Sequence, residues 1–274
     1  MHPAYLRPAK VEEALEALAE RRLTILAGGT DHYPARVGRN TEEPILDLTA
    51  LKSLRGISRQ RDGWRIGATT TWSDVLAARL PPLFDALKLA GREVGGVQIQ
   101  NAGTVAGNIC NASPAADGVP ALLALDATVE LASARERRAM PLAEFITGPR
   151  KTALKRDEIV TAILVPAPRH EARSHFLKLG ARKYLVISIA MAAIVLETEG
   201  RKVRAARIAV GACSAVARRL TDLEKELEGK NLDDLRVSPE HLQVLKPIDD
   251  VRGSAGYRMH AALTLVKRGL EFLA

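Results

Sequence analysis

Cysteine and aromatic residues are scarce in this sequence, and their scarcity excludes several kinds of site. The two cysteines among 274 residues, Cys110 and Cys213, lie far apart, and no CxxC pair or Cys/His quartet is present. A disulfide framework, a structural zinc site or an iron–sulfur cluster built by this chain alone is therefore not expected. Aromatic residues make up 4% of the chain, which leaves few rings for stacking nucleic-acid bases.

Long apolar runs and the common catalytic motifs are missing as well. Apolar stretches such as 183–196 are interrupted by polar residues or are too short to span a membrane. The N-terminal segment lacks the pattern of a signal peptide, so the prediction is a cytoplasmic protein. The sequence contains no GxGxxG, P-loop, HExxH or GxSxG motif. We therefore assign no catalytic acid, base or nucleophile and no metal site.

The charge is unbalanced toward basic residues, with 40 Lys and Arg against 32 Asp and Glu. These basic residues are scattered along the chain and are not interleaved with aromatic residues. This distribution favours a solvated surface that attracts an acidic partner or an anionic ligand over a face that binds nucleic acid.

Hydrophobic periodicity predicts an α+β protein of about two domains. The predicted elements are helices over 11–18, 73–78, 83–93, 121–125, 220–227 and 257–272, and strands over 23–27, 44–48, 57–59, 64–68, 128–132, 159–165, 176–179, 187–197 and 203–211. Asp62-Gly63 predicts the turn of a hairpin. A proline-rich cluster near 166–172 predicts the domain boundary, which gives domains over 1–168, with subdomains of about 1–54 and 55–168, and over 169–274.

Two segments have the composition of a ligand site. The first, Ala27-Gly28-Gly29-Thr30-Asp31, follows a predicted strand, and its glycines allow the backbone to approach a phosphate closely. Alone, such a pair of glycines is more typical of a tight turn. The second, 95–117, has little helical or strand periodicity and is predicted to be a long functional loop. Its small residues leave room for a flat ligand, its amides and hydroxyls can bind pyrophosphate, and Asp117 can accept hydrogen bonds from ribose or ribityl hydroxyls. Together the two segments favour a dinucleotide held by loops.

These segments resemble the two flavin loops of the FAD-binding medium subunit of molybdenum hydroxylases, the family of xanthine dehydrogenase and aerobic carbon monoxide dehydrogenase. The likeness rests on 27–31 and on 104–117, and it continues at 122–127, 157–160, 176–182, 257–258 and 265–268. It therefore covers nearly the whole chain in order. Ala106 and Gln100 depart from the pattern, since the family commonly has glycine and arginine there.

The resemblance implies a fold and a cofactor site. The fold would be a p-cresol methylhydroxylase-type FAD-binding domain of two subdomains, followed by a small α+β domain with a three-stranded sheet and helices. Residues 27–32 would wrap the pyrophosphate, the second loop would hold the diphosphate and the ribityl chain, Ile159 or Val160 would pack on the isoalloxazine, and Lys178 would lie near the flavin ring. The residues predicted to bind FAD are Ala27, Gly28, Gly29, Thr30, Asp31, His32, Gly103, Thr104, Gly107, Asn108, Asn111, Asp117, Ile159, Val160 and Lys178.

The resemblance also implies a role in electron transfer. Non-covalent FAD on this chain would pass electrons from [2Fe-2S] clusters on a small partner subunit to an external acceptor. A large partner subunit would carry molybdopterin, and the assembly would be a dimer of heterotrimers. Three alternatives stay open: a stand-alone flavin reductase or oxidase, a basic non-enzymatic binding module, and a flavin-binding assembly protein.

Overall fold

The computed structural model describes residues 5–38 and 43–274. Its strands are β1 (Tyr5–Leu6), β2 (Thr24–Leu26), β3 (Ile45–Asp47), β4 (Ile57–Gln60), β5 (Gly63–Gly67), β6 (Thr128–Ala132), β7 (Arg137–Pro141), β8 (Ile146–Gly148), β9 (Lys151–Thr152), β10 (Ile159–Pro166), β11 (Glu171–Leu179), β12 (Ala190–Glu199), β13 (Lys202–Gly211) and β14 (Arg218–Arg219). Its α-helices are α1 (Val11–Glu20), α2 (Trp72–Ala77), α3 (Asp85–Glu93), α4 (Val97–Ala102), α5 (Val105–Asn111), α6 (Gly118–Ala124), α7 (Leu142–Phe145), α8 (Thr221–Leu227) and α9 (Ala255–Leu273).

The N-terminal strands form a parallel sheet in the order β1-β3-β2. Helix α1 covers it with the apolar stripe Val11, Ala14, Leu15 and Leu18, which repeats at helical spacing and is buried as predicted. Since parallel strands all point the same way, the segment after β2 leaves the sheet at the edge where the strands end. That segment is the first predicted ligand loop.

An antiparallel sheet in the order β4-β5-β10-β6-β7 forms the second layer. The β4–β5 hairpin exists, but the prediction of its turn at Asp62-Gly63 is wrong by one residue, because Gly63 already pairs with Gln60. Gly63 is required inside the strand, since a Cβ there would lie 2.0 Å from the backbone oxygen of Val165. The turn itself therefore falls on Arg61 and Asp62.

Residues 95–117 do not form the long irregular loop predicted from the sequence. They contain α4 and α5, which are only six and seven residues long. Helices this short carry less than two turns of periodicity, so the apolar pattern does not reveal them. Backbone hydrogen bonds from Trp72 N to Gly103 O (3.1 Å) and from Val105 N to Thr70 O (3.0 Å) hold the connection between them.

The C-terminal sheet has the order β11-β12-β13-β14, so the predicted three strands are joined by a fourth of two residues. Strand β12 is buried on both faces, which explains its nearly continuous apolar sequence. Its alternate residues belong to different cores. Met191 and Ala193 pack with the helices of the preceding domain, whereas Ala192 and Ile194 pack under α8 and α9. The sheet thus joins the two domains through a shared core.

Candidate functional site

The first predicted loop is held in place by backbone contact with the second segment. Gly28 lies so close to α4 that a Cβ would come within 2.0 Å of the backbone oxygen of Ala102. Gly29 has a φ of +66°, a left-handed conformation that glycine adopts without strain. The loop therefore requires both glycines, the first for close approach and the second for its backbone angle.

The second segment presents the start of α5 to the same space. Thr104 is the N-cap residue, and its Oγ1 accepts a hydrogen bond of 2.9 Å from Gly107 N. Gly107 also leaves room, because a Cβ there would lie 2.8 Å from that oxygen. Ala106, which departs from the family pattern, is 4% exposed and packs in the core. Gln100 donates a hydrogen bond of 3.2 Å to Arg92 O and so ties α4 to the end of α3.

The two loops enclose a cavity of about 550 Å³, a volume usual for a site that binds a small organic molecule. The residues that line it are Ile25, Leu26, Ala27, Gly28, Gly29, Thr30, Asp31, His32, Ala35, Arg36, Leu48, Ala68, Thr69, Trp72, Val94, Ile99, Gly103, Thr104, Ala106, Gly107, Asn108, Cys110, Asn111, Leu154 and Val160. Apolar side chains and backbone predominate, with a few amide, hydroxyl and charged groups between them.

Most residues predicted to bind FAD meet at this cavity. Those that line it are Ala27, Gly28, Gly29, Thr30, Asp31, His32, Gly103, Thr104, Gly107, Asn108, Asn111 and Val160. Three others, Asp117, Ile159 and Lys178, are not part of the lining. Their contact with FAD, like that of the lining residues, stays a prediction.

Ile159 and Val160 lie on opposite faces of β10. Ile159 is fully buried among residues of the N-terminal sheet and α1. Val160 faces the cavity, because successive side chains of a strand point to opposite faces of the sheet. The structure therefore favours Val160 over Ile159 as the residue that packs on a ligand.

Asp117 and Lys178 pair with each other at the junction of the two domains. The Lys178 Nζ lies 2.9 Å from Asp117 Oδ2, and the Ser188 hydroxyl donates to Asp117 Oδ1 over 2.6 Å. The Lys178 and Asp117 side chains are 5% and 11% exposed. Burial raises the pKa of the Asp117 carboxyl, and the positive charge of Lys178 opposes that rise. We name these three residues the junction triad.

The charged side chains and the histidine of the cavity lining come from the first loop and the residues that follow it. Burial lowers the pKa of His32, and the nearby positive charge of Arg36 lowers it further. Arg36 donates to His32 O over 3.1 Å and forms an ion pair of 2.9 Å with Glu43. The ion pair with Glu43 offsets part of the positive charge that Arg36 presents beside His32.

Sequence reasoning missed several lining residues, of which Thr69, Trp72 and Cys110 are examples. Thr69 and Trp72 lie at the end of β5 and the start of α2, far from both motifs in sequence. The run Thr69-Thr70-Thr71 after a strand is the one local signal that could have pointed to them. Burial raises the pKa of the Cys110 thiol to about 12, which disfavours the nucleophilic thiolate.

The cavity fits a flavin dinucleotide by two observations. Thr69 Oγ1 and Asn108 Oδ1 are buried polar atoms of lining residues, and neither has a hydrogen-bond partner among the described residues. Such atoms cost free energy unless a ligand or water satisfies them. In addition, Gly28 and Gly103 both line the cavity, and a Cβ at either would meet a backbone atom within 3.0 Å, so glycine allows the two segments to approach each other closely around the cavity. Polar groups without partners and closely approaching glycine backbone are typical of a site for a phosphate-bearing ligand.

Two kinds of feature are absent from residues 5–38 and 43–274. No helix among them is long and apolar enough to cross a membrane. No group of three or more His, Cys, Asp and Glu side chains in these ranges is arranged to hold a metal ion.

Comparison with known proteins finds similarity along the whole chain. Residues 1–168 match the family described as the FAD binding domain in molybdopterin dehydrogenase, and residues 175–273 match the CO dehydrogenase flavoprotein C-terminal domain. The xanthine dehydrogenase FAD-binding subunit of Escherichia coli O157:H7 is 32% identical over 273 residues, which covers 97% of this chain and 94% of that protein. The carbon monoxide dehydrogenase medium chain of Hydrogenophaga pseudoflava is 30% identical over 278 residues, with coverage of 97% and 95%.

A solved structure of similar fold is that of reconstituted CO dehydrogenase from Oligotropha carboxidovorans. The two structures superpose with a TM-score of 0.86 at 27% sequence identity, over 99% of this chain and 98% of the other. This structural similarity confirms the predicted α+β fold, in which an FAD-binding domain is followed by a smaller C-terminal domain.

Proposed function

The chain belongs to the family of FAD-binding medium subunits of molybdenum hydroxylases, and from this premise we propose that it passes electrons from [2Fe-2S] clusters of a partner subunit, through FAD, to an external acceptor. Bound FAD supplies the redox chemistry. The residues of this chain hold the cofactor, exclude water from part of it and fix which edge faces outward.

The cavity indicates how these tasks are divided. We assign the phosphates to the backbone of 27–32 and to the start of α5, because residues of both segments line the same cavity. Thr69 and Asn108 would supply polar contacts from the interior. Val160 and the neighbouring apolar side chains would pack against the flat ring.

The proposed partners are a large subunit that carries molybdopterin and a small subunit that carries two [2Fe-2S] clusters, in a cytoplasmic dimer of heterotrimers. Similar chains serve enzymes named for xanthine and for carbon monoxide. Because the substrates differ while the chains stay alike over nearly their whole length, we assign the choice of substrate to the large subunit. Native mass spectrometry of the complex tests this composition. We expect a mass that corresponds to two copies of each of the three subunits.

One observation carries the proposal: a single cavity within the matched FAD binding domain is lined jointly by both loops that the resemblance predicts to bind flavin. Purification from the native host tests it. We expect this chain to co-elute with a molybdenum-containing chain and an iron–sulfur chain, and its flavin to be reduced when the substrate of the complex is added. Supplying NAD, oxygen or a quinone then identifies the acceptor. Turnover by the isolated chain would instead support a stand-alone flavoenzyme, and a complex whose flavin is never reduced would support an assembly protein.

FAD is expected to leave the polypeptide completely when the protein is denatured in acid. The loops offer backbone amides, hydroxyls and amide groups as ligands, and Cys110, the one cysteine of the lining, has its pKa raised to about 12 by burial. After precipitation, the absorbance of the supernatant should account for all of the flavin. Colour retained in the pellet would contradict non-covalent binding.

Substitution of Thr69 by valine is expected to weaken FAD binding by about tenfold while leaving the apoprotein as stable or more stable. The hydroxyl is buried without a partner among the described residues, so its loss removes a desolvation cost of about 1–3 kcal/mol from the apoprotein. The same loss removes a hydrogen bond to the ligand. Titration with FAD and thermal unfolding of the apoprotein measure the two effects, and a parallel fall in both would show that Thr69 is structural only.

A further inference from the structure

Arg150 joins the two loops of the cavity although it does not itself line the cavity. Its Nη1 donates a hydrogen bond of 2.9 Å to Asp31 Oδ2 in the first loop. The same nitrogen contacts Asn111 at the end of α5, through the backbone oxygen at 3.4 Å and through Oδ1. One guanidinium nitrogen thus connects residues 80 positions apart in sequence, both of which face the cavity.

The backbone of Arg150 also contacts the C-terminal end of α5. Arg150 follows Pro149 in the turn between β8 and β9, and its φ of +59° is left-handed. That position after proline is usually filled by glycine or asparagine. Its N–H donates a hydrogen bond of 2.8 Å to Ala112 O, immediately after α5. An arginine in this conformation costs stability that glycine would not, and strained residues of this kind concentrate at functional sites.

We propose that Arg150 is a positioning residue that holds the two FAD loops together and thereby slows the release of FAD. The Arg150 and Asp31 side chains are 53% and 57% exposed, so their ion pair contributes little to folding. Its effect falls on the separation of the two loops, which line the cavity on both sides of this contact. The inference rests on FAD binding by this cavity and adds a residue outside both sequence motifs.

The test is Arg150→Gly in the full-length chain. This substitution is expected to speed the release of FAD without lowering the stability of the apoprotein. FAD should dissociate about tenfold faster, since the contacts to Asp31 and Asn111 are lost. The melting temperature of the apoprotein should stay the same or rise, because glycine relieves the left-handed backbone. Arg150→Lys should give an intermediate rate, since lysine keeps the charge without the planar fork. The recovery of flavin fluorescence after dilution measures release.

Arg156→Gly is the matched control, because Arg156 is exposed, close in sequence and outside the lining. It should leave the release rate unchanged. A wild-type release rate in Arg150→Gly would overturn the inference, and so would a lower apoprotein melting temperature that accounts for faster release. A wild-type chain that binds no FAD would overturn the proposed function itself, and this inference with it.

Discussion

Replacing Gly28 with alanine is expected to weaken FAD binding by roughly ten- to a hundredfold. The new Cβ would lie 2.0 Å from the backbone oxygen of Ala102 and 2.6 Å from its carbon. Both are backbone atoms and cannot rotate away, so the first loop must move off α4 and widen the cavity where the phosphates are predicted to bind. Forced overpacking costs about 1–3 kcal/mol, and each 1.4 kcal/mol is tenfold in affinity. Titration of the apoprotein with FAD, followed by absorbance or fluorescence, measures the change.

Alanine substitutions of two further glycines are expected to lower FAD affinity less than Gly28→Ala. Gly107→Ala should have a smaller effect, because the atom it meets is the Thr104 hydroxyl, a side-chain atom that can shift. Gly256→Ala is the control, since Gly256 lies in α9 with no atom within 4 Å of the added Cβ. It should leave FAD affinity unchanged and slightly stabilise the helix. Wild-type affinity in Gly28→Ala would show that contact between the loops does not shape the site.

The two glycine-containing motifs could be predicted from sequence because glycine itself marks the positions that matter. Gly29 is needed for its left-handed φ, whereas Gly28 is needed because the backbone of Ala102 lies against it. Thr69 and Trp72 could not be predicted, because they reach the cavity only through the pairing of 70–72 with 103–105. The same pairing stabilises α4 and α5, whose length is too short for periodicity to reveal.

The junction triad shows a second limit of sequence reasoning. Family resemblance assigns Asp117 and Lys178 separately to the cofactor, but their pairing joins residues from two domains. Neither residue has a local partner that a pattern could show. The strands of the C-terminal domain were predictable from their apolar runs, whereas the way its sheet packs on the first domain was not.

Asp117→Asn is expected to lower the free energy of unfolding by about 3–5 kcal/mol, the usual cost of removing one partner of a buried ion pair. The asparagine can still bond to Ser188, but the Lys178 ammonium, 5% exposed, loses its counter-charge. Among residues 5–38 and 43–274, the Lys178 ammonium keeps a hydrogen bond of 3.4 Å to Glu93 O. Urea unfolding of the apoprotein measures the loss. Unchanged stability would show that the pair is not formed in the apoprotein.

Lys178→Met is expected to cost less, with a pH dependence of definite sign. Asp117 would remain buried, and loss of the lysine charge that opposes the effect of burial would raise the pKa of its carboxyl further. When the pKa of a carboxyl is higher in the folded than in the unfolded state, its contribution to stability is complete at pH values below the unfolded-state pKa of about 3.9. This contribution is lost as the pH rises through the folded-state pKa. The deficit of Lys178→Met relative to wild type should therefore be larger at about pH 8 than at about pH 5.

The double variant Asp117→Asn/Lys178→Met separates the pair from any contact with the cofactor. It removes both charges of the pair together, so its loss of stability should be smaller than the sum of the single losses. If both residues act only on each other, FAD affinity in the double variant should stay at the wild-type value. A clear loss of affinity, measured by FAD titration under conditions where the apoprotein is fully folded, would instead place the junction triad in contact with the flavin, as the family resemblance predicts. Strict additivity of the two single losses would show that the ion pair seen here contributes no coupling between the domains.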